Sequence, residues 1–271
     1  MRSVIICHHD EPLNRFGLSR WLASFTELAA IIVVREPPGR LIRRIRREIR
    51  RVGWARFLDV LAFRTYYRLA LASSDEAWTR RMLQELATRY GDIPASCRVF
   101  ETSSPNSAEV LSLLREVQPD LILARCKNIL RDEVFKTAAA GTFVMHPGIC
   151  PEYRNAHGCF WALAQDDLAK VGMTLLRVDA GVDTGPVYGY YGCRFDELRE
   201  SHVVIQNRVV FDNLDALRVK LQQILGGAAQ SIDTRGRPSR AWGQPWLTSY
   251  IRWKRAARRR SEHASRHAAV S

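Results

Sequence analysis

A chain of 271 residues with 46% apolar side chains is long enough to bury a sizeable core. No apolar window approaches the length of a membrane span and the N-terminal apolar run is too short for a secretory signal, so a cytoplasmic location is expected. The formal net charge of +13 favours anionic partners such as phosphates, nucleic acid or an acidic membrane surface. The cysteines, Cys7, Cys97, Cys126, Cys150, Cys159 and Cys193, are scattered without a CxxC pair or zinc spacing, which argues against a disulfide or zinc scaffold and for reduced thiols.

Ser3 to Cys7 predicts a short strand, broken by His8-His9-Asp10-Glu11-Pro12. Adjacent histidines on an extended segment point to opposite faces, so this turn reads as a solvated loop rather than a metal cluster. Phe16, Leu18, Trp21, Leu22 and Phe25 have helical spacing, and Ala29 to Val34 predicts a second buried strand. Strand, helix, strand in this order implies a right-handed βαβ unit and a parallel sheet. An arginine-rich insertion, residues 37–73, follows. Leu41, Ile42, Ile45, Ile49 and Val52 share one helical face, Arg43, Arg44, Arg46, Arg47 and Arg50 crowd the rest, and Trp54, Phe57, Leu58, Leu61 and Leu69 continue the pattern. Three readings of this basic amphipathic segment stand side by side. It packs on the domain with a solvated arginine face, docks on anionic lipid headgroups, or grips a phosphorylated substrate.

Asp75 to Tyr90 continues helically, Cys97, Val99 and Phe100 predict a short strand, and Ala108 to Val117 predicts a helix. Leu121 to Ala124 is a compact apolar strand ending in Arg125-Cys126-Lys127-Asn128, and Arg131 to Ala140 reads as a helix. Strands Thr142 to Met145 and Met173 to Val178 then enclose a helix-like run, Phe160 to Leu168. The alternation through residue 195 predicts a doubly wound, mostly parallel α/β domain. Beyond it, Ser201 to Phe211 reads as a strand and Asp212 to Leu225 as a helix. The remainder to residue 260 reads as an extension packed on the main domain, with a disordered tail over 261–271. The arginines of 252–260, interleaved with aromatics, offer a nucleic-acid contact, with a solvated tail as the alternative.

The chemistry concentrates between Gly141 and Gly185. His146 is followed by Pro-Gly, which cannot continue a strand, so the imidazole is displayed at a strand end. Asp183 lies in a glycine-flanked turn where backbone can approach a ligand closely. A carboxylate near an imidazole orients the ring and stabilises its protonated form, which suits general acid–base work near neutral pH.

The order HPGICPEYRNAHGCFWAL…GMTLLRVDAGVDTGPV resembles the signature of the folate-dependent formyltransferase family, which includes methionyl-tRNA, glycinamide ribonucleotide and amino-sugar N-formyltransferases. The matching positions run from His146 through Pro151, Tyr153, Arg154, Gly172, Thr174, Asp179, Gly181, Asp183 and Gly185. The resemblance implies a Rossmann-like fold, 10-formyltetrahydrofolate as donor, no metal, and His146 and Asp183 as the groups that deprotonate an attacking amine. It places the folate against Cys126, Ile129 and Leu130, with the Asp179 to Asp183 loop, including Gly181, opposite. The family carries an asparagine two residues before the histidine to steady the oxyanion; here that position is Val144. Lys127 or Asn128 is expected to compensate, with Asn155 and His157 as second candidates. The charge favours a phosphorylated or nucleotide-linked amine as acceptor, and residues 40–51 and 252–260 offer contacts to a membrane surface or to tRNA. Other readings are a 10-formyltetrahydrofolate hydrolase, a non-catalytic binding protein on the same fold, and a thiol nucleophile at Cys150 or Cys159 with His146 or His157 as base.

Overall fold

A computed structural model describes residues 1–35, Pro37 and 39–268; the side chains of residues 40–44, 47 and 266–268 fall outside the description. The strands are β1 (Arg2–His8), β2 (Glu27–Val34), β3 (Arg98–Thr102), β4 (Leu121–Arg125), β5 (Gly141–His146), β6 (Arg154–Asn155), β7 (Gly172–Arg177), β8 (Val187–Gly192) and β9 (Ala241–Trp242). Seven of them form one sheet in the order β3-β2-β1-β4-β5-β7-β8, while β6 and β9 make a separate parallel ladder. The inner strands are continuous apolar runs because they are covered on both faces. Alternation sorts their side chains: Ile5, Cys7, Ile31, Val33, Leu121, Leu123, Phe143 and Met145 enter one core, and Val4, Ile6, Ala30, Ile32, Ile122 and Ala124 enter the other.

The helices are α1 (Ser19–Ala23), entered through a π-helical segment Leu13–Leu18, α2 (Arg40–Ala70), α3 (Ala72–Tyr90), α4 (Ala108–Val117), α5 (Asp132–Phe135), α6 (Gly158–Ala164), α7 (His202–Phe211), α8 (Leu214–Leu225) and α9 (Leu247–Ala268). Residues from α4 and α5 pack on one face of the sheet. Those from α1, α6, α7, α8 and α9 pack on the other, joined by Phe63 of α2 and Leu86 of α3. Strand β1 pairs with β2 on one side and β4 on the other, so the chain changes direction across the sheet between β1 and β4. Open α/β sheets form ligand crevices at such a switch point.

One pairing in the mostly parallel sheet is reversed at the site, and three elements depart from the sequence-based expectations. Strand β7 is antiparallel to β5, with His146 opposite Thr174 and Phe143 opposite Arg177. Its end therefore leads away from His146, and the following loop must double back. Ser201 to Phe211 is a helix, not a strand: the Ser201 hydroxyl accepts from the Val203 and Val204 N–H groups, and Val204, Ile205, Val209, Val210 and Phe211 are buried. Capping and burial outweigh the β preference of its valines. The expected helix over Arg131 to Ala140 is a single turn, because Ala139 and Ala140 donate to the Pro119 and Asp120 carbonyls and pull the chain into β5. The expected tail is helical through Ala268 as the end of α9; 269–271 lie outside the described residues. Helix α2 forms where the amphipathic segment was expected, but it breaks at Gly53 (φ 78°). Of the residues assigned to its apolar and basic faces, Leu41, Ile42, Arg43, Arg44 and Arg47 have side chains outside the described set.

Candidate active site

The site begins at the end of β5. Thr174, fully buried on β7, donates its hydroxyl to the Gly148 carbonyl at 2.7 Å and accepts from the Cys150 N–H at 2.9 Å, which pins the turn after His146. The start of α6 crosses that turn at close range. A Cβ on Gly158 would lie 2.5 Å from the Gly148 Cα, and one on Gly148 would lie 2.8 Å from the His146 Nε2. Only two glycines allow this crossing. It brings the Tyr153 carbonyl to 2.8 Å from His146 Nε2. A carbonyl can only accept, so Nε2 carries a proton and donates it to Tyr153. Nδ1 faces Asp183 Oδ2 at 3.5 Å, so the imidazolium form is ion-paired.

Asp183 reaches this place by the doubling-back of the loop after β7. Val178 N–H donates to the Thr142 carbonyl, and from there the chain returns along β5 to His146, on the face that carries Val144. Asp179 shapes the return by accepting from Gly181 N–H at 2.9 Å and Thr184 Oγ1 at 2.8 Å. Asp183 has a φ of 52°, and its Oδ2 accepts from the Asn155 N–H at 2.8 Å. Arg154 donates to the Val182 carbonyl at 2.8 Å, so the loops holding Tyr153 and Asp183 are buttoned together at adjacent residues.

A cover from the C-terminal part of the chain holds this pair of loops. Trp242 stacks between Tyr153 (5.7 Å, 11°) and Trp161 (4.8 Å, 22°), and its Nε1–H donates to the Glu152 carbonyl. Arg237 binds the Glu152 carboxylate with two N–H groups at 2.7 and 3.1 Å, and Asn155 Nδ2 donates to the Trp242 carbonyl.

The loop after β4 runs alongside, because β4 and β5 are parallel in register from Leu121 opposite Gly141. It is tied to the loop after β1: Lys127 N–H donates to His8 Nε2 at 2.8 Å, and Lys127 Nζ lies 2.8 Å from Glu11 Oε1. Arg125 donates to Asn14 Oδ1 and to the Met145 carbonyl, joining β4 and β5 to the π-helical segment that follows β1. Asn128 keeps a buried Oδ1 without a hydrogen-bond partner. The Cys126 thiol is pushed up to about 11 by burial and contacts the Asn128 carbonyl. Ile129 is 65% exposed, whereas Leu130 is buried in the core beneath α4 and α5. The structure thus brings His146 and Asp183 together directly, with Gly181 and Asp179 building the turn behind Asp183. It sets Cys126 to Asn128 on the neighbouring strand end.

Asn155 commits its side chain to Trp242 and its backbone to Asp183, which makes it a support rather than an oxyanion donor. His157 is pushed down to about 4, first by burial and then by the charges of Lys127 and Arg64, and so is neutral. Burial, with the Asp183 charge, pushes the Cys150 thiol up to about 12, and burial raises Cys159, whose thiol donates to the Gly172 carbonyl. Neither is a thiolate near neutral pH, so the thiol nucleophile has no support. Sequence reasoning missed Arg125, Glu11 and the role of Trp242. An arginine closing an otherwise apolar strand was the available signal for Arg125; nothing local marks Trp242.

Among known families, the profile described as Formyl transferase matches residues 71–219, more than half of the chain. A methionyl-tRNA formyltransferase from Chlorobium limicola is 29% identical over 136 residues, covering 50% of this chain and 38% of that protein. The match thus spans well under half of that relative's length. Among solved structures, a sugar N-formyltransferase from Shewanella superposes with a TM-score of 0.53 at 14% identity, covering 94% of this chain and 88% of the other. An N-formyltransferase from Helicobacter canadensis, solved with folinic acid and dTDP-3-aminofucose, gives 0.50 at 13% identity, covering 89% and 71%. These superpositions show a common Rossmann-like fold.

Proposed function

The chain belongs to the formyl transferase family, and from that premise we propose that it moves a formyl group from 10-formyltetrahydrofolate to a primary amine on a phosphorylated or nucleotide-linked acceptor. The amine nitrogen attacks the formyl carbon, giving a tetrahedral oxyanion. The His146–Asp183 pair takes the proton lost by the amine, and the bond from the formyl carbon to the folate nitrogen breaks as that nitrogen regains a proton. The observation that carries this reading is His146 Nδ1 at 3.5 Å from Asp183 Oδ2, with Nε2 locked on a carbonyl and Asp183 held by a backbone N–H. The Helicobacter canadensis neighbour supports a folate-type donor and a nucleotide-linked amine, since its structure is described with both.

Val144 cannot donate to the oxyanion. Of the two neighbours, Asn128 is favoured, because Lys127 Nζ is engaged by Glu11. Asn128→Ala then lowers kcat by about 10²–10³ with little change in KM. Full turnover in Asn128→Ala removes this assignment, and full turnover in Lys127→Ala as well removes compensation by either neighbour. Incubating the protein with 10-formyltetrahydrofolate, with and without amino-sugar nucleotides, tests the function as a whole. Turnover only with amine supports the transferase. Turnover without amine assigns a hydrolase, and measurable folate binding without turnover assigns the binding protein.

A further inference from the structure

The second half of α2 presents two unlike faces. Phe57, Val60 and Phe63 are buried, and Phe63 meets Phe160 at 5.7 Å and Tyr250 at 5.4 Å. The opposite face carries Trp54, Leu58, Leu61, Thr65 and Leu69, spaced by three or four residues so that they form one stripe. Trp54 is 67% exposed, Leu58 60% and Leu69 83%. Of the chain's seven tryptophans, Trp54 alone is exposed. Soluble domains seldom leave so large an apolar row in water without a use for it.

Basic residues dominate the charges around the stripe. Between Arg40 and Ala70 the acidic residues are Glu48 and Asp59; Glu48 bonds Arg51 at 2.7 Å, and Asp59 accepts from the backbone and hydroxyl of Thr248. Arg64 and Arg68 are exposed on one flank of the stripe. Helix α9 lies beside α2, joined by Thr248 on Asp59 and by the Tyr66–Tyr250 contact at 5.4 Å, and it exposes Ile251, Arg252, Arg255, Arg258 and Arg259. A nucleic acid would use the arginines, but a row of leucines gives its bases no ring to stack on and its phosphates no donor. An anionic bilayer uses both parts: the apolar stripe enters the headgroup–acyl boundary while the arginines meet lipid phosphates.

We propose that the outer face of α2, flanked by the arginines of α9, docks peripherally on an anionic lipid surface. The sequence placed such a contact over residues 40–51 and 252–260; among the described side chains the exposed apolar row lies over residues 54–69. No helix among the described residues is long and apolar enough to cross a membrane, so this contact is interfacial.

The test is co-sedimentation of the full chain with phosphatidylcholine vesicles and with mixed phosphatidylcholine–phosphatidylglycerol vesicles. Sedimentation is expected only with the mixed vesicles, weakening as salt rises, with a blue shift in tryptophan emission that Trp54→Phe removes. Leu58→Glu with Leu69→Glu lowers the bound fraction by about tenfold or more, and Arg68→Ala by about fivefold. Thermal melting checks that these variants are folded. Absence of binding to both vesicles overturns the proposal, as does a Leu58/Leu69 variant that binds like the parent. Self-association abolished by the leucine variant, without vesicle binding, assigns the stripe to a second copy and also overturns it. So does tRNA retention that depends on Arg68 and not on the leucines.

Discussion

The loop from His146 to Gly158 leads into α6, whose Phe160 meets Phe63 of the helix α2, yet loop and α2 are held on opposite terms. The loop is fixed by polar contacts at nearly every residue: Thr174 on Gly148 and Cys150, the Tyr153 carbonyl on His146, Asn155 on Asp183, and Arg154 on Val182. Its geometry allows a change of neither a hydroxyl nor a hydrogen. Helix α2 is held along one side by Phe57, Val60 and Phe63, and its outer side makes no comparable network. A site that must hold two ionisable groups at a set distance is over-determined by directional bonds, whereas an apolar outer face can be reshaped at little cost to folding.

The largest break in this contrast is chemical. His146→Ala lowers kcat/KM for formyl transfer by about 10²–10⁴, while thermal melting shows a folded protein. The next is steric. Gly158→Ala drives a methyl into the Gly148 backbone and destabilises the fold by about 1–3 kcal/mol, with loss of the His146–Tyr153 contact, read by chemical denaturation and by the imidazole resonance.

A third concerns pH. His157 has a folded-state pKa near 4 against about 6.5 when unfolded, so between those values the unfolded chain binds a proton that the folded chain does not. Stability is therefore complete above about pH 6.5 and is lost as the pH falls toward 4, with a slope of at most about 1.4 kcal/mol per pH unit for this one group. His202, 6.1 Å away and also pushed down by burial, adds to the loss in the same direction. His157→Asn, which tolerates the left-handed backbone there, flattens part of the slope in melting curves between pH 4 and 7. A slope as steep as the parent's assigns the acid sensitivity elsewhere. The smallest effect sharpens the contrast from the other side: Leu58→Ser on the outer face of α2 changes stability by no more than about 0.5 kcal/mol in denaturant titrations.

Much of this was readable in the chain. The buried strands announced themselves as apolar runs, and the His-Pro-Gly and Asp-Thr-Gly turns marked the two groups that meet in the site. What stayed hidden was non-local or depended on context. Ser201 to Phe211 has the composition of a strand, and only its Ser201 cap and its position against the sheet make it a helix. The end of α9 was expected to be disordered because it closes the chain, yet it continues the helix through Ala268. That Asp183 returns to His146 depends on the antiparallel setting of β7, which a single strand's pattern does not encode. The meeting of Gly148 with Gly158, and of Asn155 with Trp242, likewise leaves no periodic trace.

The last of these contacts sets a timetable for assembly. Asn155 and Trp242 are 87 residues apart, so the support of Asp183 is incomplete until Trp242 has left the ribosome. At about 5–20 residues per second the interval lasts several seconds. During that time the sheet can already form around a His146 whose partner loop is not yet locked. C-terminal truncation before Trp242 should therefore leave the Asp183 support unlocked, and it also takes the buried Tyr250 and Trp253 of α9 out of the core.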